Sequence, residues 1–153
     1  MRIRAAASPA LQRGRLFFDF LKPDPMPLRL KLFIYYWLPL LLFCGFIYFQ
    51  SSYPSPKSVI TFAFSDKLLH VFAYAVLAIL FLRAYGTLSL RNHKRLLLVV
   101  SILSAALYGL SDEIHQYFVP ARNAELWDLI ADIVGSVGGA VLYQMRRPLK
   151  EPD

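Results

Sequence analysis

The sequence predicts an all-α polytopic membrane protein: a bundle of four transmembrane helices with the N terminus and C terminus both on the cytoplasmic side. Three observations lead there. The chain of 153 residues is 57% hydrophobic and only 18% charged, against roughly 25% charged in ordinary soluble domains, and its mean hydropathy is +0.45. Four apolar runs approach the roughly 20 residues needed to cross a bilayer. Polar groups collect at particular ends of these runs, whereas a soluble amphipathic helix carries a polar stripe along its whole length. The net charge of +7 sits beside long apolar runs, so nucleic acid is not an expected partner. The single cysteine, Cys44, lies inside a run and excludes an internal disulfide framework.

The elements follow in order. Residues 1–27 form a basic, proline-rich cytoplasmic arm holding Arg2, Arg4, Arg13, Arg15 and Lys22, with Leu16 to Leu21 able to make a short interfacial turn. Residues 28–145 form the membrane domain, with helices over approximately 32–49, 67–85, 96–117 and 126–145. The first run is longer than a signal-peptide core, and no A-x-A-like cleavage site follows it, so it reads as a span. Pro39 and Gly45 within it predict a kink. Residues 146–153 form a cytoplasmic tail. Lys and Arg set the orientation. Fourteen of seventeen lie in the arm, its junction at Arg29 and Lys31, the loop around Arg83, Arg91, Lys94 and Arg95, and the tail with Arg146, Arg147 and Lys150. Lys57, Lys67 and Arg122 fall on the opposite, outer side.

That outer side also gathers six of the ten acids: Asp66, Asp112, Glu113, Glu125, Asp128 and Asp132. Ionisable groups inside a membrane normally face the bundle interior or water and mark function. Spacing selects which point inward. Asp66, His70 and Tyr74 follow at i, i+4 and i+8, with Lys67 three before His70, so one face of the second helix carries all four. On the third helix Glu113 and Gln116 align with Gly109 and are expected inward, with Asp112 and His115 nearer the rim. On the fourth, Asp128, Asp132, Gly135 and Gly139 form one stripe. Its upper half is acidic and its lower half is a small-residue packing surface. The short 119–125 loop makes helices three and four antiparallel neighbours and lets Arg122 fold over the same carboxylates as a bidentate donor.

These motifs resemble the VanZ-like family: Asp66-Lys67-x-x-His70-x-x-x-Tyr74, Glu113-x-x-Gln116, Pro120-x-Arg122 and Asp128-x-x-x-Asp132-x-x-Gly135, in that order over roughly residues 66–142. The resemblance implies a small bacterial integral protein of the plasma membrane. The family's prototype is associated with resistance to the glycopeptide antibiotic teicoplanin. The family usually has Asn where this chain has Asp132, an extra acid that alters the charge balance or proton demand of the site.

Three functional readings stay open on the residues. In the first, the outer cluster binds or modifies a cell-envelope molecule, a lipid-linked cell-wall intermediate or a glycopeptide contacting it. Lys67 and Arg122 would grip phosphate or carboxylate, while Glu113, Asp128 and Asp132 would hold amines or hydroxyls. Three cationic against six acidic side chains, a formal −3, sit awkwardly with a purely anionic ligand. In the second, the protein is a membrane-embedded enzyme with Glu113 or His70 as general base and Asp128 as partner; no P-loop, H-E-x-x-H or G-x-S-x-G accompanies them. In the third, the charges form either a metal site, with His70, His115, Glu113 and the aspartates supplying nitrogen and oxygen ligands, or a structural ion-pair network with no ligand. No ligand pair shows diagnostic metal spacing, so neither metal nor cofactor is expected. The bilayer is the constant partner, and Gly135, Gly138 and Gly139 would allow a homo-oligomer.

Overall fold

The computed structural model describes residues 26–53, 65–120, 122 and 124–146. The N-terminal arm up to Pro25 with its expected interfacial turn, Lys57, and the tail from Arg147 lie outside the described residues. The chain divides into two units, Met1–Lys31 and Leu32–Asp153. In the described part of the first, helix begins at Leu28 directly after Pro27, whose carbonyl accepts the Lys31 N–H at 3.1 Å. Proline ahead of a first turn is well placed, because no intrahelical donor is lost there.

The second unit is all-helical over its described residues: α1 (Leu38–Ser51), α2 (Ser65–Tyr85), α3 (Lys94–Phe118) and α4 (Leu126–Arg146). A single 3₁₀ turn, Ser89–Asn92, lies between α2 and α3. Four helices are long and apolar enough to cross a membrane: Leu28–Ser51, Asp66–Tyr85, Lys94–Phe118 and Leu126–Arg146. The first begins four residues before the expected 32, because Arg29 and Lys31 join the helix and long basic side chains can extend toward a polar interface. The expected disturbance at Pro39 takes the form of a π turn over Phe33–Trp37, in which the Leu38 N–H reaches back to Phe33 O. Proline has no N–H and crowds the carbonyl four residues earlier, and a wider turn relieves that crowding.

Leu40, Ile47, Leu77, Leu82 and Leu97 form a buried apolar core, but on α3 and α4 much of the burial is inverted relative to a soluble bundle. On α4 the buried face is Asp128, Ala131, Asp132, Gly135, Ser136, Gly139 and Ala140, while Trp127, Ile133, Val134, Val137 and Leu142 are exposed. On α3 the inner stripe is Leu97, Ser101, Ala105, Gly109, Asp112, Glu113 and Gln116, with Leu103, Leu107, Ile114 and Phe118 outside. Apolar side chains outside and small or polar ones inside suit a bilayer, where hydrophobic burial no longer drives helices together and close packing does.

α2 and α4 run parallel and share the most extensive interface. Their backbones touch: a Cβ on Gly135 would collide with the Val71 carbonyl, and one on Gly139 would stand 2.6 Å from Ala75 Cα. The helices are also joined by polar clips. Trp37 Nε1 donates to Thr87 Oγ1 at 3.1 Å. Tyr108 Oη donates to Cys44 O at 2.6 Å. Tyr85 Oη and Ser104 Oγ lie 3.0 Å apart. The up-down order of the helices brings the end of α1, the start of α2, the end of α3 and the start of α4 to one end of the bundle, which carries the acids.

Candidate functional site at the polar end

The polar end is assembled from three helices and one loop. Asp132, fully buried, lies six residues past the start of α4, about 9 Å along the helix. Its Oδ1 stands 2.9 Å from His70 Nδ1 on α2. It fits because α3 presents no side chain opposite: a Cβ on Gly109 would come within 2.6 Å of Asp132 Oδ2 and 3.1 Å of Tyr74 Cε1. Tyr74, one turn below His70, is buried with its ring parallel to the imidazole. The Asp66–His70–Tyr74 face therefore grades from exposed Asp66 through partly buried His70 to buried Tyr74.

Nearer the mouth, Lys67 Nζ is held between Asp128 Oδ1 at 2.7 Å and Glu125 Oε2 at 2.8 Å. Asp128 is buried and Glu125 exposed. The Glu125 N–H donates to Glu113 Oε2 at 3.0 Å, anchoring the loop to α3. Periodicity gave no sign that Glu125 joins the cluster, because it belongs to a connection rather than a helix face; the shortness of that connection was the available signal.

Two expectations are corrected. Asp112 is not at the rim: it is buried beside Glu113, and Gln116 Nε2 donates to its Oδ2 at 3.0 Å. α3 packs against α1, α2 and α4, so its buried stripe is wide enough for both sets of spacings. Arg122 does not fold over the carboxylates. Its Nε donates to Tyr53 O at 2.8 Å and its Nη2 to Gln50 O at 2.7 Å. Carbonyls at a helix C terminus have no intrahelical partner and carry negative partial charge, so they compete well for a guanidinium. His115 also turns to α1, with Nε2 3.0 Å from Ser52 Oγ and its ring against Tyr48.

With Lys67 matched and Arg122 engaged elsewhere, three buried oxygens among the described residues have no hydrogen-bond partner: Tyr74 Oη, Glu113 Oε1 and Asp132 Oδ2. Buried polar groups are nearly always paired, and all three belong to this cluster. Two open clefts adjoin Glu113 at the α3–α4 junction. One, of about 340 Å³, is lined by Glu113, Ile114, Tyr117, Phe118 and Ala124. The other, of about 190 Å³, is lined by Glu113, Ala124, Glu125, Leu126 and Leu129.

A family model described as VanZ/LLP1 matches residues 33–147 of the chain. The chain belongs to the VanZ-like family. The matched region contains every helix that supplies a side chain to the polar cluster. No curated protein and no solved structure matches this VanZ-like chain.

Proposed function

We propose that this VanZ-like protein binds the polar head of a cell-envelope amphiphile at the outer face of the bacterial plasma membrane, and through it lowers sensitivity to glycopeptide antibiotics. The observation that carries the reading is the set of three unpartnered buried oxygens, on Tyr74, Glu113 and Asp132. A purely structural network would satisfy its own members, since an unsatisfied buried oxygen is destabilising. The orientation rests on the Lys and Arg asymmetry, which puts the acid-rich end outside.

The chemistry of the open positions refines the ligand. Lys67 is neutralised by Asp128 and Glu125, and Arg122 serves α1. What faces the ligand is two carboxylate oxygens and one phenol hydroxyl, so its matching groups are chiefly donors: amine, amide N–H or hydroxyl. Lipid-linked cell-wall intermediates carry such groups beside an apolar chain. The clefts beside Ile114, Tyr117, Phe118, Leu126 and Leu129 give such a chain a lateral approach to Glu113 from the bilayer.

A second reading, catalysis, draws on the His70–Asp132 contact. A carboxylate that orients an imidazole prepares it as a general base, and Glu113 stands in the same cluster. Asp132 rather than Asp128 is then the partner of His70.

The test is glycopeptide susceptibility in a susceptible host expressing the wild type, Lys67→Ala, Glu113→Gln or Asp128→Asn, with membrane levels checked by blot. Reduced susceptibility with the wild type, lost in well-expressed variants, supports the binding reading. An unchanged host with abundant wild-type protein rejects the glycopeptide role. Turnover of a labelled envelope lipid that is abolished by Glu113→Gln favours catalysis.

A further inference from the structure

The same cluster carries an inference beyond ligand binding. One ligand atom from each of His70, Glu113 and Asp132 lies within 4.8 Å of the others. A tetrahedral ion with bonds near 2.1 Å holds its ligand atoms about 3.4 Å apart, and His70 Nδ1 and Asp132 Oδ1 are already at 2.9 Å. Glu113 and Asp132 each bring an oxygen that is buried and unpartnered, Oε1 and Oδ2. Glu113 is 7% exposed and Asp132 0% exposed. Two buried carboxylates whose ligand atoms lie within 4.8 Å of each other and of an imidazole nitrogen, each keeping one unpartnered oxygen, are what a cation site requires and what a self-contained hydrogen-bond network avoids.

Charge points the same way. Six carboxylates stand at this end, and Lys67 bridges two of them, Asp128 and Glu125. Among the described residues no Lys or Arg pairs with Glu113 or Asp132. Two buried carboxylates matched only by the His70 imidazole beside Asp132 are unfavourable inside a membrane bundle.

We propose that His70, Glu113 and Asp132 form a three-point site for one divalent cation of the zinc or manganese class. One imidazole and two carboxylates suit borderline to hard ions. Three protein ligands leave a coordination position open, as in sites that act on a bound molecule rather than purely structural ones. An alternative grouping, Asp66, His70 and Asp128, also brings ligand atoms within 4.8 Å. It is the poorer site, because Asp128 Oδ1 is held by the Lys67 ammonium at 2.7 Å and Asp66 is exposed. Both groupings use His70, so they compete for its imidazole. With Glu113 and Asp132 on the cation, an envelope ligand would meet the ion in place of those free oxygens, and the ion supplies the positive charge that Arg122 does not.

The experiment uses full-length protein in detergent, freed of any histidine tag and stripped of metal, then equilibrated separately with Zn²⁺ and Mn²⁺. One equivalent per chain of at least one ion is expected. Glu113→Gln and Asp132→Asn should weaken binding at least tenfold, whereas His115→Gln, a histidine facing α1, should not. Pulsed EPR of the Mn²⁺-loaded wild type should show coupling to one imidazole nitrogen, a readout that needs no variant to fold. Folded wild type that retains neither ion overturns the proposal. So does undiminished binding by folded Asp132→Asn, absence of the nitrogen coupling from bound Mn²⁺, or weakening by Asp128→Asn with none by Glu113→Gln. Because these are metal measurements, they can fail while the envelope-ligand reading stands, and the converse holds for the susceptibility test.

Discussion

His70 Nδ1 and Asp132 Oδ1 are 2.9 Å apart, and that contact joins α2 to α4 at the inner edge of the polar cluster. Asp132 has no exposed surface, so removing His70 leaves a carboxylate stranded in a low-dielectric interior. Losing one partner of a buried pair typically destabilises by about 3–5 kcal/mol. His70→Phe in metal-free protein should therefore lower the unfolding free energy by a few kcal/mol. His70→Phe combined with Asp132→Leu should lose less than the sum of the two single changes, by about 0.5–3 kcal/mol. Unfolding in mixed micelles measures the cycle, and strict additivity would show that the two side chains are not coupled.

The backbone contact of α2 and α4 makes a prediction of opposite character, about space rather than charge. Alanine at Gly135 would drive a methyl into the Val71 carbonyl, a backbone atom with little room to give. Overpacking of this kind destabilises by about 1–3 kcal/mol, more than the 0.5–1 kcal/mol that alanine gains over glycine in a helix. Gly135→Ala should lower the unfolding temperature and the amount of folded protein in membranes. Gly138→Ala has open space at its Cβ, so the helix preference wins and stability should hold or rise. Equal behaviour of the two variants would contradict the close packing of α2 on α4.

Lys67 bridges two acids of unequal burial, and the inequality gives a third prediction. Asp128 keeps 5% of its side chain exposed and Glu125 49%. Glu125→Gln should change stability by less than about 1 kcal/mol, as for other wet ion pairs. Lys67→Met strands Asp128 and should be several times more damaging. Combining Lys67→Met with Asp128→Leu should restore much of the loss. Thermal unfolding of purified protein reads all three, and a Glu125→Gln effect as large as that of Lys67→Met would refute the assignment of the bridge.

The four helices were legible because bilayer thickness imposes one length on every span and leaves lipid-facing residues uniformly apolar. Asp132 and Gly135 were legible as one inward stripe, since i, i+3 and i+4 spacings superpose on any helix. Asp112 was not. Spacing ranks residues around one axis but cannot say how many neighbours a helix has, and α3 is packed on several sides. Glu125 and Arg122 lie on a connection, where no periodicity applies. Arg122 had two acceptor sets to choose from, and only its position beside the end of α1 decided in favour of the carbonyls there.

That choice yields the last prediction. If Arg122 acts by closing the end of α1, its loss should be felt at Gln50 and Tyr53, whose carbonyls it binds at 2.7 and 2.8 Å. Hydrogen bonds from a charged donor contribute about 1.5–3 kcal/mol when well shielded, and here both are exposed to solvent, so a loss of about 1 kcal/mol is expected for Arg122→Ala. Lysine offers one point donor where the guanidinium offers a fork, so Arg122→Lys should recover part of the effect. Hydrogen exchange should accelerate at the last turn of α1 and leave the buried turn around Asp132 protected. An Arg122→Ala variant that instead loosened the Asp128–Asp132 turn, with α1 unchanged, would place the guanidinium back over the carboxylates.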